Sequence, residues 1–334
     1  MIAHEIATGT DVPVVHVRSL TKRYGTITAL DDLTLELGPG IVGLVGANGA
    51  GKSTLIKILL GLLPPTSGQV AVLGMDPTVN GTALRQYVGY MPEHNALPPD
   101  VSATELVAHL AQLSGLPSSA ARERTSDVLR HVGLYEERYR PIGGYSTGMR
   151  QRAQLAQALV HDPRLLLLDE PTNGLDPAGR DEMLQLIRRT GREFGIAIIL
   201  ASHLLGEIEQ VCDFLVAIDG GRLLRAAPLT DFTAETGILR VEVEHGRDTL
   251  AATLRARGLH VLDSVNGDAR SVQIALEELE PYDAIRDAVA ELGLPLVRIE
   301  HRRHSLEDLF REPLAAGGPG APTETSTGAW TGDR

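Results

Sequence analysis

Residues 46–53 read Gly46-Ala47-Asn48-Gly49-Ala50-Gly51-Lys52-Ser53, the spacing GxxxxGK[ST]. Glycines at these places let a backbone curl until successive N–H groups converge on one anion, and a helix starting directly afterwards adds the positive end of its dipole. Gly46, Asn48, Gly49, Ala50 and Gly51 would form that cradle, with Thr54 in the first turn of the helix. Lys52 would then reach the β and γ phosphates of a nucleotide, and Ser53 would hold Mg²⁺. The chain has three lysines, Lys22, Lys52 and Lys57, against twenty-eight arginines. A Gly-Lys pair is therefore rare by composition, and its flanks suit it: 41–45 reads as a buried strand and 54–60 as a helix.

A phosphate loop alone fits kinases, GTPases and many ATPases, so its partners must decide. Leu165-Leu166-Leu167-Leu168-Asp169-Glu170 is an apolar strand ending in two carboxylates, at the strand edge where an open parallel sheet binds its ligands. Asp169 fits the acid on the Mg²⁺ side, and Glu170 fits the residue that polarises an attacking water. A nucleoside triphosphate and Mg²⁺ are the cofactors these residues imply; ATP rather than GTP is what the resemblance below implies.

Just upstream, Tyr145-Ser146-Thr147-Gly148-Met149-Arg150-Gln151-Arg152 opens a helix after Gly143-Gly144. Here the chain resembles the ATP-binding cassette family, whose signature reads Leu-Ser-Gly-Gly-Gln at this place. Ser146 and Gly148 match; Tyr145, Thr147 and Met149 depart. The two retained residues supply a hydroxyl and bare N–H groups at a helix N-terminus, suited to a γ-phosphate. The resemblance runs from residue 14 to about 228. It implies that Asp176, in Pro171-Thr172-Asn173-Gly174-Leu175-Asp176, touches a dimer partner. It also implies that His203 hydrogen-bonds the γ-phosphate and that Tyr24 stacks on adenine. Where the family usually has glutamine, this chain has Glu93, in Tyr90-Met91-Pro92-Glu93. An ionised glutamate only accepts hydrogen bonds and adds negative charge; the hypothesis is that Glu93 still senses Mg²⁺, with altered nucleotide coupling.

In that family the signature of one copy faces the phosphate loop of another. One set of motifs implies that the chain pairs with a second ATPase subunit, as a homodimer, and drives a separate membrane permease. The form of the signature, and a C-terminal stretch ending Ser305-Leu306-Glu307-Asp308-Leu309-Phe310, are similar to the ATPase subunits of bacterial multidrug and antibiotic exporters that work with a type-2 permease. The resemblance thus implies export of a drug, antibiotic or other hydrophobic compound. The alternative is a soluble cassette ATPase acting on ribosomes or DNA; one cassette and an acidic balance count against it.

The elements that must position these residues read as an α/β, doubly wound P-loop NTPase sheet with a β-rich edge and a helical insertion at about 94–145. Strands are expected at 14–17, 33–37, 70–73 and 196–201, and helices within 102–134 and at 146–160 and 181–193. The cassette would span 14–229. Beyond it, residues 247–265 and 282–300 repeat the order helix, glycine stop, strand. With strands at 238–243 and 271–276, this gives a ferredoxin-like α+β domain of order βαββαβ over 230–312, a dimerisation or regulatory element. Residues 305–311 would add a short amphipathic helix, and His301-Arg302-Arg303-His304 reads as a solvated turn. Residues 1–13 and 313–334 are expected to be disordered.

The chain has 334 residues, 43% of them hydrophobic, and a formal charge of −12. That balance argues against broad contact with nucleic acid or anionic lipid. Cys212 is the only cysteine, which leaves no intrachain disulfide and no cysteine metal cage. No signal-peptide core and no run of ~18 apolar residues is present. The expected place is the cytoplasm, peripheral on the inner face of the membrane through the permease.

Overall fold

The apolar runs offered as strands meet in the middle of one sheet. The computed structural model describes residues 13–94, 97–233, 235–262, 270–275 and 282–303. Six strands lie in the order β5 (Val88–Met91), β6 (Leu165–Asp169), β7 (Ala197–Ser202), β3 (Ile41–Val45), β8 (Phe214–Asp219) and β9 (Arg222–Pro228). All neighbours are parallel except β8 and β9. Strands β3, β6 and β7 are buried along their whole lengths. Covered on both faces, they need apolar residues at every position, which is why they read as continuous runs.

The pleat splits those runs between two cores. Val42 and Leu44, Leu165 and Leu167, and Ala197 and Ile199 join one; Ile41 and Val45, Leu166 and Leu168, and Ile198 and Leu200 join the other. The first core is closed by a three-stranded antiparallel sheet, β2 (Ile27–Leu37), β1 (Val15–Tyr24) and β4 (Ser67–Val72), with α1 (Lys52–Leu59) and α2 (Pro77–Leu84). The second takes the insertion helices α3 (Ala103–Leu113) and α4 (Ser118–His131), then α5 (Thr147–Leu159), α6 (Pro177–Phe194) and α7 (Leu205–Val211).

Helix starts follow local chemistry. Ser102 and Glu105 form a reciprocal capping box on α3, and Ser146 accepts from Met149 N at 3.2 Å at the start of α5. Helix α6 begins four residues before the expected 181, because Asp176 caps it through Gly179 N and Pro177 fits its first turn. Helices α2 and α7 and strands β8 and β9 were not anticipated. Helix α2 is kinked at Asn80, which erases the periodicity that marks a helix.

After α8 (Thr230–Thr233), whose Phe232 is buried in the second core, come β10 (Glu235–Val243), α9 (Arg247–Ala256), β11 (Val261–Leu262), β12 (Ser271–Ala275), α10 (Tyr282–Leu292) and β13 (Leu296–Arg303). Their sheet is antiparallel, in the order β11-β12-β10-β13, the order of a split βαβ fold. Leu239, Val241, Leu250, Leu254, Ile274 and Ile285 form a third core. One reading needs correction: residues 301–303 do not turn but continue β13, paired to β10 through Leu239↔His301 and Ile238↔Arg302. As an edge strand, β13 tolerates charged residues that a central strand would exclude. The readings of 1–12 and 304–334, the short helix at 305–311 included, lie outside the described residues. No described helix is long and apolar enough to cross a membrane.

Candidate functional site

Strands β3, β6 and β7 end side by side, so the segments leaving them converge on one open cleft of about 490 Å³. Asn48, Gly49, Gly51, Lys52, Ser53 and Thr54 line it from the loop after β3. Asp169 and Glu170 line it from the end of β6, His203 from the end of β7, and Glu93 from the segment after β5. Ala29 and Asn173 complete the wall; neither stood out in the sequence.

The loop is shaped by what glycine permits. A Cβ on Gly46 would stand 2.3 Å from Ile218 O, and Gly51 has φ +106° with Ala29 O at 2.6 Å from any added Cβ. Only a residue without a side chain fits either place. Gly51 sits at the N-cap of α1 and offers no side chain to its N–H groups, so those donors stay available to an anion. Lys52, 6% exposed, donates to Gly46 O at 2.7 Å and lies 3.8 Å from Glu170 Oε1.

Glu170 is the pivot of the cluster. Its Oε2 meets His203 Nδ1 at 2.8 Å, and its backbone sits in the left-handed region at φ +52°. That conformation costs about 1 kcal/mol in a non-glycine residue. It is held by Glu170 N donating to Ala201 O at 3.0 Å and by Asn173 N donating to Glu170 O at 3.1 Å. Burial raises the Glu170 pKa above the ordinary carboxylate value, and the contact with His203 pulls it back.

Asp169, 3% exposed, is raised by burial and by the nearby Glu93, and lowered by the Ser53 hydroxyl and by Lys52 and Lys57. Tyr90, behind it, is pushed up to about 12 by burial and by the charges of Asp169 and Glu93. Asp169 Oδ1 is buried and accepts no hydrogen bond. A buried carboxylate oxygen left this way is costly unless a cation or water satisfies it. The set Asp169, Ser53 and Glu93 therefore fits a hard divalent cation. Among the described residues no three His, Cys, Asp or Glu side chains converge as a metal cage.

Other residues singled out in the sequence stand elsewhere. Ser146 and Gly148 lie at the start of α5 and Asp176 at the start of α6; none lines the cleft. Tyr145, in place of the family's leucine, is buried and donates to Glu137 O at 2.8 Å. Tyr24 ends β1, 46% exposed, with Lys22 Nζ 5.2 Å above its ring. It too stands outside the described lining. The sequence reading also missed Glu207, buried behind the site and bonded to Thr172 and Ser202. A glutamate in an unrecognised helix carried no signal.

Comparison with known proteins adds to this geometry. A family profile described as "ABC transporter" matches residues 30–173. The bacitracin transport ATP-binding protein BcrA of Bacillus licheniformis is 34% identical over 306 residues, covering 91% of this chain and 98% of that protein. The daunorubicin resistance ATP-binding protein DrrA3 of Streptomyces coeruleorubidus is 32% identical over 302 residues, covering 89% and 94%. Among solved structures, CbiO1 of Clostridium perfringens, described as part of the ABC transporter complex CbiONQ, matches with a TM-score of 0.63 at 26% identity, covering 73% of this chain and 95% of that one.

Proposed function

The chain belongs to the ABC transporter family as an ATP-binding subunit, and from that premise we propose that it powers export of a drug, antibiotic or other hydrophobic compound through a separate membrane permease. The names of BcrA and DrrA3 support that substrate class. The alternative, a soluble ATPase working on ribosomes or DNA, loses to the likeness to BcrA, a protein named for bacitracin transport and matched over 98% of its length.

The observation that carries the catalytic reading is the contact of Glu170 with both His203 and Lys52, beside the unpartnered Asp169 oxygen. Glu170 takes the proton of the attacking water while the bond between the β and γ phosphates breaks, releasing ADP and phosphate. Burial has already raised its affinity for a proton. Lys52 neutralises phosphate charge, leaving its loop carbonyls to do so, and His203 holds the γ-phosphate. Asp169, Ser53 and Glu93 would hold Mg²⁺, which supplies charge neutralisation at the phosphate oxygens when bound. Ser146, Gly148 and Asp176 would act on a second copy, as one half of a homodimer with two composite sites; Tyr24 would stack on adenine. The division into a cassette at 14–229 and a second domain at 230–312 is supported by separate cores, and the second domain serves dimerisation or regulation.

The test is capture of the Glu170→Gln protein with ATP and Mg²⁺ from membranes. A co-purifying polytopic membrane protein is the expected result, with turnover lost. Recovery of ribosomal or DNA-bound material instead would overturn the transport reading.

A further inference from the structure

A buried carboxylate lies directly behind the reacting cluster and takes no part in the chemistry described above. Glu207, on the first turn of α7, is 3% exposed. Thr172 Oγ1 donates to its Oε1 at 2.7 Å, and Ser202 Oγ donates to its Oε2 at 2.7 Å. Both hydroxyl residues are themselves buried. Ser202 Oγ also accepts from Leu204 N at 3.0 Å, and Arg180 Nε approaches Glu207 Oε1 to 3.3 Å. The two hydroxyl donors, and Arg180 as an ion-pair partner whose Nε makes no hydrogen bond, belong to three different working segments. Thr172 follows Glu170 by two residues, Ser202 immediately precedes His203, and Arg180 stands four residues beyond Asp176 on α6.

A charge this deep stays only with partners for both oxygens, and here those partners fix chain direction. Ser202 is held between Glu207 and Leu204 N, so the turn that carries His203 has one geometry. Thr172 is tied to the same carboxylate, so the turn that carries Glu170 in its left-handed conformation shares that anchor. His203 is 43% exposed on its side chain, so packing alone does not enclose it. Its 2.8 Å contact with Glu170 therefore depends on where its backbone is held.

We propose that Glu207 is a positioning residue for hydrolysis: through Thr172 and Ser202 it locks the turn bearing Glu170 to the turn bearing His203, and through Arg180 it ties the start of α6 to both. The proposal rests on Glu170 being the group that takes the proton of the attacking water. Because the backbone of the phosphate loop belongs to other segments and supplies most of the contacts to a nucleotide, the lock bears on the chemical step far more than on nucleotide binding. A displacement on the order of 1 Å of reacting groups can cost about a hundredfold in rate.

The experiment measures kcat, KM and MgATP affinity of the full chain carrying Glu207→Gln, Thr172→Val, Thr172→Ser or Ser202→Ala. Expected are kcat losses of about ten- to a hundredfold in Glu207→Gln and Thr172→Val, with KM and affinity within about twofold of the unaltered protein. Thr172→Ser, which restores the hydroxyl, should recover most of the rate lost in Thr172→Val. Should Glu207→Gln not fold, Thr172→Val and Ser202→Ala decide the matter. Unchanged kcat, or a parallel loss of affinity and rate with no recovery in Thr172→Ser, overturns the proposal. Glu170→Gln is the control. If it turns over normally, the reading of Glu170 fails; if it is inactive while Glu207→Gln is not, only the lock fails.

Discussion

Glu93 gives the cleft a third carboxylate beside Asp169 and Glu170, against Lys52 as its lysine among the described residues. Its side chain is 39% exposed and lies 3.9 Å from His94, so its charge is partly screened but still raises the proton affinity of Asp169 and Tyr90. A nucleotide arriving without metal meets that charge unneutralised. We therefore expect Glu93→Gln to tighten binding of metal-free ATP by about fivefold, for roughly 1 kcal/mol of relieved repulsion, while MgATP binding changes much less. Calorimetric titration with and without chelator reads both numbers, and equal affinities in the two proteins would remove Glu93 from the charge balance. At this scale much of the site was legible. Lys52, Ser53, Asp169 and Glu170 were marked by residue type at fixed spacing, and the cleft brings them together. Glu207 was not legible, because the helix that carries it was not marked in the sequence around it.

The insertion helices meet the sheet domain partly through a histidine. His131, at the end of α4, places Nε2 2.8 Å from Thr190 Oγ1 on α6, and its ring centroid lies 4.7 Å from that of Phe194. The Thr190 hydroxyl already donates to Leu186 O at 2.8 Å. It can only accept from His131, which fixes the proton of the neutral ring on Nε2. Burial, then the charge of Arg189, holds the His131 pKa below its ordinary 6.5, with Glu193 opposing. The unfolded chain thus takes up a proton near pH 6.5 that the folded chain resists. Stability should be level above that value and fall as pH drops through 6.5 toward the folded pKa. Melting temperatures between pH 7.5 and 5.5 check this, and the decline should be shallower in His131→Gln; identical slopes would show that the ring titrates freely. His161, also lowered by burial, contributes the same sign, and Asp169 and Glu170, raised by burial, the opposite sign, equally in both proteins, so the difference between the two slopes is the readout. Elements were legible where one force dominated: β3, β6 and β7 by apolar runs, α3 by its helical period and α5 by the serine at its start. They were illegible where forces were mixed. The kinked α2 has no clean period, and the charged residues of β13 are permitted only because the strand is an edge.

At the scale of the whole molecule, one chain carries one phosphate loop and one signature, and the structure sets them apart. Gly148 shows how. It lies in the first turn of α5, and a Cβ added there would meet only Leu175 Cδ2, at an ordinary 3.7 Å. Nothing among the described residues requires a glycine at that place. Alanine should even favour the helix, by up to about 1 kcal/mol. In the proposed dimer, bare backbone at this place would serve a nucleotide seated on the phosphate loop of a second copy. This yields opposite signs from one substitution. Gly148→Ala should leave the melting temperature of the isolated chain unchanged or slightly higher, yet weaken the ATP-dependent dimer and lower ATPase turnover. The comparison is made in the Glu170→Gln background by size exclusion with MgATP, where the parent is expected to run as a dimer and the Gly148→Ala protein to shift toward monomer. A dimer of equal strength in both would mean that the start of α5 does not approach the nucleotide of its partner, and that the two sites are not built across the interface.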